Sequence, residues 1–81
     1  MKARVFVSFK NTVLDPQGQT VCSALTGLGY DAVSDVRQGK FFEIALAAGV
    51  SRERAAEQID ALSREVLTNP VIEDYRFELV D

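Results

Sequence analysis

Apolar and polar residues alternate from the second position of the chain. Ala3, Val5, Val7 and Phe9 fall on one face, and Lys2, Arg4 and Ser8 on the other. That two-residue period is the mark of a half-buried strand. Phe6 breaks the rule by placing a ring among the polar residues. Asp15-Pro16 then starts a helix: the carboxylate accepts from the free N–H groups of the first turn, and proline suits the first helical position. Val21, Leu25 and Leu28 recur at helical spacing, with Cys22 and Ala24 beside them, and Gly29 serves as a left-handed terminator. This predicts a helix over 16–28. Residues 32–38 and 41–47 read as two strands, with Gly39-Lys40 between them as a tight hairpin. Phe42, Ile44 and Leu46 share one face of the second, and Phe41, Glu43, Ala45 and Ala47 the other. Ser51 caps a second helix, with Glu53 in the first turn where the helix dipole favours negative charge. Ala55, Ile59, Leu62 and Val66 form its apolar stripe, and Asn69-Pro70 ends it. A last strand, 72–80, groups Tyr75, Phe77 and Leu79.

The order β-α-β-β-α-β predicts an α+β, ferredoxin-like domain over residues 1–81: a four-stranded antiparallel sheet with two helices on one face. The two helical stripes and one face of each strand make the core. The other sheet face carries Phe6, Phe41, Ala45, Ala47 and Val80 with few charges, an apolar patch that predicts burial against another chain. Length strengthens that expectation. A chain of 81 residues has a thin core, and small domains compensate with disulfides, a metal or oligomerisation. The single cysteine, Cys22, makes no intramolecular bridge, and without histidine a metal site would need carboxylates alone, for which no calcium-loop spacing exists. Self-association is the device that remains.

The net charge of −3, with both signs scattered, argues against nucleic-acid and anionic-membrane partners. No apolar run approaches the roughly 20 residues of a membrane span. The first segment alternates too strictly, and is broken too soon by Lys10, for a signal peptide, so a cytoplasmic location is expected.

Candidate chemistry is sparse. Gly27-Leu28-Gly29-Tyr30-Asp31-Ala32 has the letters of a dinucleotide-binding turn, but it follows a helix and enters a strand, the reverse of what pyrophosphate binding needs. Cys22 has no histidine to ionise it and reads as a small residue at a helix–core edge. Asp31, Asp35, Glu43, Glu73 and Asp74 are the candidate carboxylates, and nothing in the sequence pairs two of them in a cleft. Arg37 and Lys40, at the expected hairpin tip, could grip a phosphate or carboxylate on a partner, against the simpler reading of solvated turn charges. Phe6 and Phe41 occupy the positions where RNA-recognition motifs stack bases, and Gly39-Lys40-Phe41-Phe42 loosely echoes that signature. Glu43 beside Phe41 and the acidic balance oppose it.

Three blocks carry a more specific signal. They are Val13-Leu14-Asp15-Pro16-Gln17-Gly18, then Asp35-Val36-Arg37 followed by Gly39-Lys40, then Asn69 with Val71-Ile72-Glu73-Asp74-Tyr75-Arg76. In this order and spacing the chain resembles the PurS family over essentially its whole length. It departs from the family at Asn11-Thr12 and in the apolar stretch Ala47-Ala48-Gly49-Val50. The resemblance implies a small ferredoxin-like subunit that forms dimers or tetramers and joins a large synthetase subunit and a glutaminase subunit. Together these convert formylglycinamide ribonucleotide, ATP and glutamine to formylglycinamidine ribonucleotide in purine biosynthesis. The family's role implies a bridge that supports ammonia transfer, with no catalytic, cofactor or metal residue on this chain; ATP and magnesium belong to the synthetase subunit. Within that role Phe6, Phe41 and Ala45 are expected to contribute to self-association, and Arg37, Lys40, Asp74, Tyr75 and Arg76 to meet the large subunit. An ACT-like amino-acid-binding domain shares the strand order, but its glycine-bearing turn after the first strand is replaced by Asn11-Thr12-Val13-Leu14. An acylphosphatase-like enzyme would want an arginine in that turn, and none is there.

Overall fold

The computed structural model describes all of residues 1–81. Strand β1 spans Lys2–Phe9, helix α1 Pro16–Gly27, strand β2 Gly39–Ala45, helix α2 Arg52–Leu62 and strand β3 Glu73–Val80. A π-helical turn, Ser63–Leu67, extends α2. The sheet is antiparallel with β1 in the centre, in the order β2-β1-β3. The alternation of β1 is realised as expected. Ala3, Val5 and Val7 are buried and, with Ile59 of α2, form the centre of the core. Phe42, Ile44 and Leu46 pack around them from the β2 side, and Tyr75, Phe77 and Leu79 from β3.

Local chemistry sets the helix ends. The Asp15 carboxylate accepts from Gly18 N–H at 3.0 Å, and Pro16 opens α1. At the other end Tyr30 N–H bonds to the Leu25 carbonyl and Gly29 N–H to that of Thr26, with Gly29 at φ +97°. This pair of bonds around a left-handed glycine closes the helix and satisfies its last carbonyls. Ser51 Oγ accepts from Arg54 N–H at 3.2 Å to start α2.

The expected four-stranded, two-helix sandwich is corrected in two respects. The sheet has three strands: residues 32–38 form no strand, and Gly39-Lys40 are the first residues of β2, not a hairpin turn. Neither does α1 cover the sheet. Leu28 is 76 % and Val21 40 % exposed, whereas Ala55 and Ile59 of α2 are buried against the strands. The chain is accordingly long and thin, 50 × 27 × 13 Å with a radius of gyration of 16.1 Å. A compact chain of this length has about 12 Å.

The physical reason lies just before β2. Gln38 N–H donates to Asp15 Oδ2 at 2.7 Å. The Arg37 guanidinium donates to the carbonyls of Phe9, Lys10 and Val13 at 3.2, 2.9 and 3.4 Å. These four bonds fix residues 37–38 beyond the end of β1, in line with β2. A strand there cannot fold back onto β2, and a lone extended segment has no ladder to stabilise it.

Candidate functional site

Two surfaces are left open: the sheet face away from α2, and the α1 side with the segment that follows it. On the sheet face, antiparallel register puts Phe41 beside Phe6 and Phe6 beside Arg76. The two rings meet edge to face at 5.1 Å, and the Arg76 guanidinium carbon lies 4.0 Å from the Phe6 ring centre. One row along, Arg4 stands between Glu43 at 3.7 Å and Glu78 at 3.6 Å, and Lys2 Nζ reaches Glu43 at 3.1 Å. Ala45 and Val80 flank Lys2, and Lys10 Nζ is 3.7 Å from Asp74. Sequence reasoning thus found the aromatic pair but underestimated the charges around it. Arg76 covers Phe6, and half of Phe41 is exposed at the β2 margin. Arg76 occupies the Phe6 ring, and the carboxylates of Glu43 and Glu78 one row along repel a polyanion, which argues against stacked bases here.

The five residues expected to meet a partner subunit do not form one patch. Asp74 and Arg76 lie on the open face. Tyr75, one residue out of phase, points to the α2 side, where its hydroxyl donates to Asp60 Oδ1 at 2.7 Å. That hydrogen bond first, and burial second, raise the Tyr75 phenol above the usual 10.0. Lys40 also faces the α2 side, 3.5 Å from Glu73, whose other oxygen accepts from Asn69 N–H at 2.8 Å. Arg37 sits on the carbonyls of Phe9 at the end of β1 and of Lys10 and Val13 in the loop after it, rather than at a hairpin tip.

Asp15 does more than cap a helix. Its carboxylate is 3 % exposed and ties the α1 N-terminus to Gln38. Amide hydrogen bonds from Gly18 and then Gln38, with the Arg37 charge behind them, hold its carboxyl below the usual 3.8 against the opposing effect of burial. Gly18 is required at this contact, because a Cβ there would stand 2.4 Å from the Val36 carbonyl oxygen. The sequence signalled the cap. The second bond joins residues 23 apart, and no spacing rule reports it.

The remaining candidates stay apart. Cys22 is half-buried in α1. Asp31 and Asp35 are exposed, and Glu43, Glu73 and Asp74 each pair with a cation. No group of three or more histidine, cysteine, aspartate or glutamate side chains is placed to hold a metal ion. No helix is long and apolar enough to cross a membrane. Gly27 and Gly29 end α1 rather than opening a helix.

Comparison with known proteins agrees with this topology. The family model PurS, "Phosphoribosylformylglycinamidine (FGAM) synthase", matches residues 2–81. The chain is 45 % identical over 76 residues to the phosphoribosylformylglycinamidine synthase subunit PurS of Synechocystis sp., covering 94 % of this chain and 75 % of the relative. It is 43 % identical over 82 residues to the PurS subunit of Bacillus subtilis, covering 96 % and 90 %. A crystal structure of Bacillus subtilis PurS superposes with a TM-score of 0.84 at 40 % identity, covering 99 % of this chain and 98 % of that one. A chain in the structure of PurLQS from Thermotoga maritima superposes with a TM-score of 0.87 at 29 % identity, covering 98 % and 95 %. The chain belongs to the PurS family, the PurS subunits of phosphoribosylformylglycinamidine synthase.

Proposed function

We propose that this chain is a non-catalytic assembly subunit that self-associates and bridges a large synthetase subunit and a glutaminase subunit in the cytoplasm. The complex converts formylglycinamide ribonucleotide, ATP and glutamine to formylglycinamidine ribonucleotide, ADP, phosphate and glutamate. ATP and its magnesium are held by the synthetase subunit. Ammonia released by the glutaminase must cross between sites without protonation or loss, which calls for sealed protein–protein contacts, and an assembly subunit supplies them.

The observation that carries this reading is the fold left unclosed. Helix α1 presents Val21 and Leu28 outward, although its spacing is that of a core helix. An 81-residue chain with ten buried residues has too little interior to leave such a stripe without cover. Self-association takes the β2 side of the sheet, where Phe41 and Ala45 lie, with Phe6 behind them. The β3 side of the open face, with Asp74 and Arg76, is left for the large subunit.

Reconstitution tests the reading. The synthetase and glutaminase subunits of the same organism are mixed with and without this chain, and complex formation and glutamine-dependent product are measured. The expected result is a stable complex and glutamine-dependent turnover only with the chain present. Full glutamine-dependent activity in its absence would sink the proposal.

A further inference from the structure

What ties helix α1 to the rest of the molecule is a small group of polar contacts at its N-terminus. Asp15 accepts from Gln38 N–H at 2.7 Å, and Gln17 Oε1 from Gln38 Nε2 at 2.7 Å. Arg37 grips the carbonyls of Phe9, Lys10 and Val13. No apolar side chain of α1 is among those packed on the core. The core face of the sheet is meanwhile covered unevenly. Ala3, Val5 and Val7 of the central strand are buried, whereas Phe42, Ile44 and Leu46 on the β2 side are only half-buried. That side is where the second helix of a two-helix sandwich sits, and α1 carries an apolar stripe, Val21, Leu25 and Leu28, of the kind that would cover it.

We propose that a single copy of the chain has two arrangements of α1 and residues 32–38, extended as here and folded back onto its own sheet, and that Asp15 and Arg37 are the lock holding the extended one. The inference goes beyond the assembly role proposed above and does not depend on it. Folding back turns Gln38-Gly39-Lys40 into a three-residue loop, a common hairpin length. Pairing outward from that loop sets Val36 opposite Phe42 and Ala32 opposite Leu46, on the core face. The result is the closed β-α-β-β-α-β sandwich. Its costs are equally visible. Gly39 and Lys40 must leave their rungs with Ser8 and Val7, and Asp35 comes to stand opposite Glu43, a like-charge pair that destabilises a ladder. Burial of Val21, Leu25 and Leu28 opposes those costs, so a few polar bonds decide the outcome. With the lock intact the α1 stripe stays open to a partner; with the chain folded back, that stripe is hidden.

Asp15→Ser combined with Arg37→Thr breaks the lock in the full chain. Serine still caps α1 but offers one acceptor oxygen in place of two, and threonine removes the guanidinium while suiting a strand. Small-angle scattering, with mass from analytical ultracentrifugation, reads the result. The double variant is expected to be a folded monomer whose radius of gyration falls from 16.1 Å toward about 12 Å. In that background Leu28→Ala should lower the urea midpoint. Adding Asp35→Lys, an exposed position opposite Glu43 in the closed pairing, should favour the compact form further. A double variant that keeps its helix content and stays extended, or associates as the parent does, would overturn the proposal. So would one that expands and loses helical circular dichroism, because the contacts would then serve only to keep α1 folded. Arg37→Thr alone leaves the cap and the Gln38 bond in place and provides a milder test. With labels on Cys22 and on Gln58→Cys, exposed on α2, it should show a second, shorter distance beside that of the parent; one unchanged distance would refute the lock.

Discussion

Helices α1 and α2 carry the same kind of apolar stripe, yet truncating one side chain from each should have opposite consequences. Ile59 is fully buried among Ala3, Val5 and Val7. Ile59→Ala removes the equivalent of three methylene groups, about 2.4 kcal/mol at ~0.8 kcal/mol each. A residual cavity of roughly 50–75 Å³ adds about 1–2 kcal/mol. The expected loss is ~3–4 kcal/mol from a total of about 4–12 kcal/mol for a chain of this size, a drop in Tm of roughly 12–30 °C. Leu28 is 76 % exposed at the end of α1. Leu28→Ala in the monomer should stay within about 0.5 kcal/mol of the parent. Urea denaturation followed by circular dichroism reads both, at a protein concentration where ultracentrifugation gives a monomeric mass. At higher concentration the Leu28→Ala penalty should grow if α1 is covered by another copy, because association stabilises by mass action. A monomeric Leu28→Ala variant that loses as much as Ile59→Ala would refute the argument, since α1 would then be packed on its own sheet.

Further outcomes follow from individual contacts. Because the folded carboxyl of Asp15 titrates below its ordinary 3.8, the ionised group stabilises the fold above about pH 4, and that stabilisation fades as pH falls through the folded value. Asp15→Asn should therefore lower the urea midpoint at neutral pH and flatten its acid dependence; a parallel acid slope in both proteins would contradict it. Ser63 Oγ is buried without a hydrogen-bond partner, so Ser63→Ala should be neutral or stabilise by up to about 1 kcal/mol, and a clear loss in thermal melting would show that the hydroxyl is satisfied. A double-mutant cycle of Phe6→Leu and Arg76→Met should give a coupling of ~0.5–1 kcal/mol, and zero coupling would mean the guanidinium is not held over the ring. Arg37→Glu should lower the Tm of the isolated chain, since it replaces a donor to three carbonyls with an acceptor; an unchanged melt would return Arg37 to the list of free contact residues.

What could be read from the sequence follows the range of each interaction. Strand β1 was bounded at 2–9 by alternation alone, and α1 by Asp15-Pro16 and Gly29, because capping is settled within a few residues. The phase of Tyr75 was equally available: period two separates it from Asp74 and Arg76, and grouping the three as one contact segment ignored that rule. Gly39 misled for a physical reason. It resembles a turn residue, but in the fold it allows the backbone to approach β1, where a Cβ would stand 2.4 Å from the Val7 carbonyl oxygen. Glycine within a strand often marks such an approach.

The expected strand at 32–38 exposes a deeper ambiguity. Alternation and stripe spacing state that a face must be covered, and they carry no information about which molecule covers it. Val21, Leu25 and Leu28 have the same periodicity as Ala55, Ile59 and Leu62, and only the latter set finds its own sheet. What decides between them is the direction of the chain at Gln38, set by one carboxylate and one guanidinium whose partners lie more than 20 residues away. A closed domain and one completed by a neighbour can therefore share a hydrophobic pattern and differ in a pair of polar contacts.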